Sequence, residues 1–160
     1  MHVGLWSDGN HVPTLAAAAC ETGGYTATVA LDLTAFRSAL DSLRRAIARS
    51  LAAPADEEVR DAVIQRFEYT YELAWKTLRR YLDQEGVDEI ATFSKRDIYR
   101  EAATRGLIGD PTAWFGYQTA RNETSHTYNA VKAREVHGKA VTFADDAGKL
   151  LAELDGRLRA

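Results

Sequence analysis

Residues 56–86 read DEEVRDAVIQRFEYTYELAWKTLRRYLDQEG, and this stretch decides the fold. Its apolar residues recur at intervals of three and four, the period of one face of an α-helix. The buried face is predicted to consist of Val59, Val63, Phe67, Tyr71, Ala74, Leu78 and Leu82. Pro54 precedes the helix, Asp56 suits the positive end of its dipole, and Gly86 can end it in a left-handed conformation. We therefore predict a long helix of roughly eight turns.

The segments on either side are also predicted to be helical. Upstream, residues 33–51 carry a second apolar face at the same spacing. That face consists of Leu33, Phe36, Leu40, Leu43, Ile47 and Leu51. Downstream, Ser94 with Asp97 forms a capping arrangement, and Asp110 followed by Pro111 supplies a cap and a first-turn proline. These signals predict two short helices after the long one.

A third long helix is predicted to begin near Thr124 or Ser125. Its apolar face consists of Tyr128, Val131, Val136, Ala140, Phe143, Leu150, Leu151, Leu154 and Leu158. Gly138 and Gly148 weaken the pattern within this helix. Three long helices and two short ones, with no strand pattern, predict an all-α fold, an up-down helical bundle.

The chain of 160 residues is long enough for one domain with a sizeable core. We assign that domain to residues 31–160. Residues 1–30 show no apolar period and are predicted to be a disordered tail or a non-native extension, with Val29 a candidate first residue. The chain has no apolar run long enough to span a membrane and no export signal, so a cytoplasmic location is expected.

Charge and cysteine content exclude several classes of protein. The 20 basic and 23 acidic residues are mixed along the chain, which excludes a polybasic tail and makes any RNA contact a local one. The single Cys20 excludes an intrachain disulfide framework. No HExxH or CxxC spacing occurs, so we predict neither a metal site nor a cofactor, and we interpret His137 as a solvated helix residue.

Candidate chemistry is concentrated in residues 121–128, RNETSHTY. An Arg121 guanidinium can hold phosphate oxygens, and His126 supplies an imidazole, the side-chain type most often used for proton transfer in cells. This pair suits phosphodiester cleavage. On one unbroken helix the two side chains would point roughly 140° apart, so we expect a helix to start between them.

Two alternatives remain open for this segment. Metal-free RNA cleavage needs both a base and an acid, whereas the segment offers one histidine, so two copies in a dimer would be required. The simpler interpretation is that Arg121 caps a helix, His126 makes a surface hydrogen bond, and the ring of Tyr128 packs in the core.

A second candidate feature lies on the long helix, where Glu68, Glu72 and Lys76 follow one another at helical spacing. They can be a solvated ladder of ion pairs beside buried aromatic rings, or a face that binds a partner or a second copy. The short helix that follows is locally basic and could follow a phosphate backbone or simply be solvated. Its basic residues are Lys95, Arg96, Arg100 and Arg105.

These features together resemble a known family. Residues 67–76, FEYTYELAWK, and the Arg-x4-His-x-Tyr pattern of residues 121–128 resemble the nucleotidyltransferase substrate-binding proteins, a branch of the HEPN domains that includes HepT-like toxins. The likeness extends from about Leu31 to the C-terminus. It implies a helical bundle of HEPN type that forms a homodimer and pairs with a minimal nucleotidyltransferase antitoxin.

The resemblance also implies roles for single residues. Arg121 and His126 would form a metal-independent ribonuclease site across the dimer, with RNA as the substrate, and Asn122 matches the polar residue that follows the arginine. Tyr128 would be the modification site, to which the partner transfers AMP and thereby silences cleavage. Two alternatives to this toxin are a non-catalytic substrate-binding subunit of the nucleotidyltransferase and a purely structural helical dimer.

Overall fold

The computed structural model describes residues 29–160. Its helices are α1 (Thr34–Ala52), α2 (Glu57–Gln84), α3 (Lys95–Thr104), α4 (Pro111–Glu123) and α5 (Ala130–Arg159), with 3₁₀ turns at Ile90–Thr92 and Thr124–His126. Within these residues there is no strand. The predicted all-α bundle of three long and two short helices is confirmed. The predicted assignment of residues 1–30 falls almost entirely outside the described residues.

The predicted helix boundaries have clear local causes. The Asp56 carboxylate accepts hydrogen bonds from the amides of Glu58 and Val59 at the start of α2. Ser94 and Asp97 form the expected capping box at the start of α3. Gly86, with φ of 75°, follows α2 in the left-handed conformation that favours glycine.

The core lies where α1, α2, α4 and α5 pack together, and its centre is aromatic. Phe143 of α5 contacts Phe67 of α2 and Tyr117 of α4, with ring centroids 5.3 Å apart in each pair. Trp114 packs edge-on against Phe143 at 5.8 Å. These contacts hold α4 against α2, so they set the position of the residues that follow α4.

Several predictions about the outer ends of the apolar faces are wrong. Leu51, Val131 and Leu158 were expected in the core, yet they are 63%, 55% and 43% exposed. Leu51 and Leu158 lie in the last turns of their helices, beyond the packing neighbours, and Val131 lies in the first turn of α5. Tyr128 is 89% exposed because it precedes α5 instead of lying on its buried face.

Helix α5 also differs from its predicted form. It begins at Ala130 because the Asn129 side chain accepts hydrogen bonds from the amides of Val131 and Lys132, and not at Thr124 or Ser125. It continues through Gly138 and Gly148 without a break, since packing against α1, α2 and α4 outweighs the low helix propensity of glycine. No described helix is long and apolar enough to cross a membrane.

Candidate functional site

Residues 121–128 form the corner between α4 and α5. Helix α4 ends at Glu123, and one 3₁₀ turn leads towards α5. The expected helix boundary does lie between Arg121 and His126, but a helix ends there and the next begins only after both. Thr124 is 8% exposed and its hydroxyl donates to Glu68 of α2, which fastens the corner to the long helix.

Arg121 is the charged centre of this corner. Its Nη1 lies 3.4 Å from Glu68 Oε1, and its Nε lies 3.6 Å from Glu72 Oε1. Nη1 also donates to Thr124 Oγ1 at 3.3 Å. Because the guanidinium is tied to two carboxylates one helical turn apart on α2, its position is fixed by the chain itself.

Glu72 connects Arg121 to a second group of side chains. Its Oε2 accepts a hydrogen bond from Trp75 Nε1 at 2.9 Å, and its Oε1 lies 3.8 Å from Lys95 Nζ at the start of α3. Lys95 Nζ also lies 4.5 Å from the centroid of the Trp75 ring, a cation–π arrangement. Lys76 is exposed and reaches Glu72 only at 4.0 Å.

The interpretation of Glu68, Glu72 and Lys76 as a solvated ladder therefore needs correction. Glu68 and Glu72 are only 36% and 30% exposed, and both bind Arg121 from a different helix. The two features that the sequence suggested separately form one site. Lys76 stands at its solvent edge.

His126 and Tyr128 follow this charged centre in the chain, and both side chains are exposed. Their ring centroids lie 6.3 Å apart in an edge-to-face arrangement. No hydrogen bond joins His126 to Arg121 within the described part of the chain. Asn122, at the end of α4, is exposed as well. The corner thus presents one imidazole and one phenol to solvent beside an anchored guanidinium.

Tyr128 differs from the other described tyrosines in its accessibility. Four of the six are buried, namely Tyr71, Tyr81, Tyr99 and Tyr117, and Tyr69 is 40% exposed. The hydroxyls of Tyr71 and Tyr99 lie 2.6 Å apart. Burial raises the pKa of Tyr71 to about 12, with the nearby Glu72 charge adding to the effect, so this hydroxyl stays protonated at neutral pH.

His137 is not the solvated residue that the sequence suggested. It is partly buried, and its Nε2 lies 2.8 Å from Ser50 Oγ of α1. Burial lowers its pKa below the ordinary value, and the charge of Arg60 adds to this shift. The described residues contain no group of three metal-ligating side chains.

Thr124 and Lys95 are site residues whose roles sequence reasoning missed. A threonine between two charged motif residues carries no signal of its own, since its contact with Glu68 depends on how α4 packs on α2. Lys95 was noted only as part of a basic helix. Its first-turn position after the Ser94 cap is what directs it back to Trp75.

Comparison with known proteins places the chain in a family. A family model described as nucleotidyltransferase substrate binding protein like matches residues 31–156. The chain belongs to this family. The resemblance seen in residues 67–76 and 121–128 is therefore confirmed.

The chain is similar to proteins of two bacteria. The chain is 42% identical over 96 residues to the probable ribonuclease HepT of Haemophilus influenzae, a match that covers 59% of this chain and 66% of the relative, just under two thirds of its length. A solved Haemophilus influenzae structure, described as the fold of a substrate binding domain of a nucleotidyltransferase, matches with a TM-score of 0.73 and 32% identity. A solved Thermus thermophilus structure matches with a TM-score of 0.62 and 33% identity. Each structural match covers 78% of this chain and 99% of the other.

Proposed function

We propose that this chain is a toxin-like, metal-independent endoribonuclease that acts as a homodimer and is silenced by a partner nucleotidyltransferase. The observation that carries the proposal is the α4–α5 corner, where Arg121 is anchored to α2 while His126 and Tyr128 are exposed in the residues that follow α4. The 42% identical relative named a probable ribonuclease supports the activity. The family description supports a nucleotidyltransferase as the partner.

The corner supplies the groups that metal-free RNA cleavage requires. The 2′-hydroxyl oxygen of the substrate attacks the adjacent phosphorus while a base removes its proton, and an acid protonates the departing 5′ oxygen as its bond to phosphorus breaks. His126 takes one of these proton-transfer roles, and His126 of a second copy takes the other. Arg121 stabilises the negative charge that develops on the phosphoryl oxygens.

Silencing is assigned to Tyr128. The partner directs the Tyr128 hydroxyl oxygen onto the α-phosphorus of ATP, the hydroxyl proton is lost and pyrophosphate leaves, so the ring gains an AMP group. That group carries a negative charge and stands beside His126, where it repels the RNA backbone and blocks access to the imidazole.

The cleavage proposal is tested by incubating the purified protein with a tRNA pool in the presence of a metal chelator. We expect fragments from the wild type and a reduction on the order of a hundredfold in His126→Ala. His137→Gln is the matched control, because it removes the other described histidine while keeping a donor near Ser50. Equal cleavage by wild type and His126→Ala would show that His126 is not the acid or base.

The silencing proposal is tested with the partner nucleotidyltransferase and labelled ATP. We expect one label per chain in the wild type and none in Tyr128→Phe. Tyr69→Phe is the matched control, since Tyr69 is the other exposed tyrosine in the described residues. Label retained in Tyr128→Phe would move the modification to another residue.

One observation favours a second function, that of a non-catalytic substrate-binding subunit of the nucleotidyltransferase. The charge of Arg121 is already balanced by Glu68 and Glu72, so a substrate phosphate must compete with two carboxylates for it. Absence of cleavage by the wild-type dimer, together with an unmodified Tyr128 in mass spectrometry, would favour this function.

A further inference from the structure

A cationic cavity lies on α2 beyond the proposed active site. It has a volume of about 390 Å³ and lies between α2 and the 3₁₀ turn at Ile90–Thr92. Its lining residues are Trp75, Lys76, Arg79, Arg80, Asp83, Ile90 and Ala91. Three cations and one carboxylate therefore surround a space walled on one side by an indole ring.

The two arginines of this cavity are available to an anion. Among residues 29–160, neither Arg79 nor Arg80 has a carboxylate oxygen within 4.0 Å, whereas Lys76 is at that limit from Glu72. Arg79 is partly buried, so the protein has already displaced some of the water around its stem. A phosphate entering here meets two guanidinium groups on successive residues.

The same pattern of cations and rings continues onto α3. Lys95 lies over the Trp75 ring at 4.5 Å. The guanidinium groups of Arg96 and Arg100 lie 5.0 Å and 5.3 Å from the centroid of the Phe115 ring. Arg100 also forms an ion pair with Asp97 at 3.0 Å. Arg105 lies at the far end of the helix, where it pairs with Glu101 and contacts no aromatic ring of this group.

We call these residues the basic-aromatic surface. Its members are Trp75, Lys76, Arg79, Arg80, Lys95, Arg96, Arg100 and Phe115. It reaches the proposed active site through Glu72, whose Oε1 lies 3.8 Å from Lys95 Nζ and 3.6 Å from Arg121 Nε. Lys95 of the surface and Arg121 of the proposed active site are therefore neighbours on either side of one carboxylate.

We propose that the basic-aromatic surface binds the backbone of single-stranded RNA on one side of the scissile phosphate. This inference rests on the proposed ribonuclease function and adds to it the form of the substrate and its path. Proteins that bind single strands combine cations that follow the phosphates with aromatic or guanidinium planes against which bases stack. The surface offers both in alternation, while the motif corner itself offers only Arg121 as a cation.

The interleaving of rings and cations favours RNA over an acidic protein partner. An acidic protein surface would be matched by cations alone, and the indole ring would remain a partly hydrated apolar surface in such a complex. A nucleotide uses both, because its phosphate pairs with Arg79 or Arg80 and its base can stack on Trp75. Binding of the nucleotidyltransferase at this surface is the competing outcome of the test.

The test measures RNA binding without cleavage. Fluorescence anisotropy of a labelled single-stranded RNA of about twelve nucleotides is followed in the His126→Ala background, with and without Arg79→Gln plus Arg80→Gln. We expect the double variant to weaken binding by about tenfold and to lower the slope of log K against log salt by about 1.4, the value for two lost phosphate contacts on a single strand. Duplex RNA of the same sequence is expected to bind less tightly.

Arg45→Gln plus Arg49→Gln is the matched control, since it removes two exposed arginines from α1 in a different cavity. Equal loss of affinity in both double variants, or no loss in either, would overturn the proposal. Unchanged RNA binding combined with weaker binding of the nucleotidyltransferase in the Arg79/Arg80 variant would also overturn it.

A second variant guards against a folding defect at Arg79. Arg96→Gln probes the same surface from α3, where the side chain is exposed, and is expected to weaken RNA binding by a few fold and reduce the salt slope by about 0.7. Failure of the ribonuclease proposal has a different signature: the wild type and the arginine variants alike leave RNA intact. If the protein binds RNA through these arginines but does not cleave it, the proposed binding surface stands and only the ribonuclease proposal fails.

Discussion

Arg121 is held by its neighbours more for position than for stability. Its ion pairs with Glu68 and Glu72 are about one third exposed, and pairs of that kind contribute only about 0–1 kcal/mol each. What they provide is orientation, because two acceptors one turn apart fix both the place and the plane of the guanidinium. Thr124 completes this arrangement by tying the next turn to Glu68.

His137 makes a single-residue prediction about pH. Its folded-state pKa lies below the ordinary value of 6.5 because burial and the charge of Arg60 disfavour the imidazolium form. Above pH 6.5 the imidazole is mainly neutral in both the folded and the unfolded chain, so it has little effect on the free energy of unfolding. As the pH falls, the unfolded chain binds the proton first, so the free energy of unfolding decreases until the folded pKa is also passed.

The measurement is urea unfolding of wild type and His137→Gln at about pH 7.5 and about pH 5.5. We expect the wild type to lose more stability than the variant over this interval. An identical loss in the two proteins would mean that other groups account for the whole pH dependence.

At the residue scale the sequence singled out these side chains but did not predict their contacts. Arg121 and the pair Glu68 and Glu72 were singled out on separate grounds, and their meeting depends on how α4 packs against α2. The prediction for His137 was wrong because His137 lies at the edge of the apolar face of α5. The sequence around it does not show that Ser50 of α1 lies opposite. Periodicity reports which face is buried, not which polar atom lies opposite.

Helix α5 depends on packing to overcome its glycines, and this gives a prediction at the scale of the element. A Cβ added at Gly138 has no neighbouring heavy atom within 4 Å, and the residue is exposed in a regular helix. Gly138→Ala is expected to raise the free energy of unfolding by about 0.5–1 kcal/mol through reduced backbone entropy of the unfolded chain.

Gly86→Ala is the matched control, because there too the added Cβ meets open space but φ is 75°. That substitution is expected to lower the free energy of unfolding by about 1 kcal/mol. Both values can be read from chemical denaturation curves. A stabilising Gly86→Ala would show that the end of α2 relaxes out of the left-handed conformation.

The helices and their caps were predictable because their signals are local. The acidic start of α2 at Asp56, the Ser94 capping box and the left-handed Gly86 were all predicted from neighbouring residues alone. The start of α5 was not predictable in the same way. Asn129 caps α5, whereas the Thr124 hydroxyl donates to Glu68, a residue distant in sequence.

For the whole molecule, the decisive question is how many chains make one proposed ribonuclease site. Cleavage requires an acid and a base, and the described residues hold only one other histidine, His137, whose Nε2 faces Ser50. In the proposed homodimer, a two-fold axis beside His126 would bring the second copy's His126 to the first. The test is to mix wild type with His126→Ala in equal amounts, under conditions of complete subunit exchange. It distinguishes a site shared by two chains from a site built by one chain.

If each site needs both histidines, only the dimers with two wild-type chains are active, and cleavage is expected to fall to about a quarter of the rate of the same total amount of wild type. If each chain acts alone, about half of the rate remains. A parallel mixture with His137→Gln should keep the full rate, which controls for losses during exchange. A value near one half, with exchange verified by differently tagged chains, would contradict the shared site and assign both proton transfers to groups of a single chain.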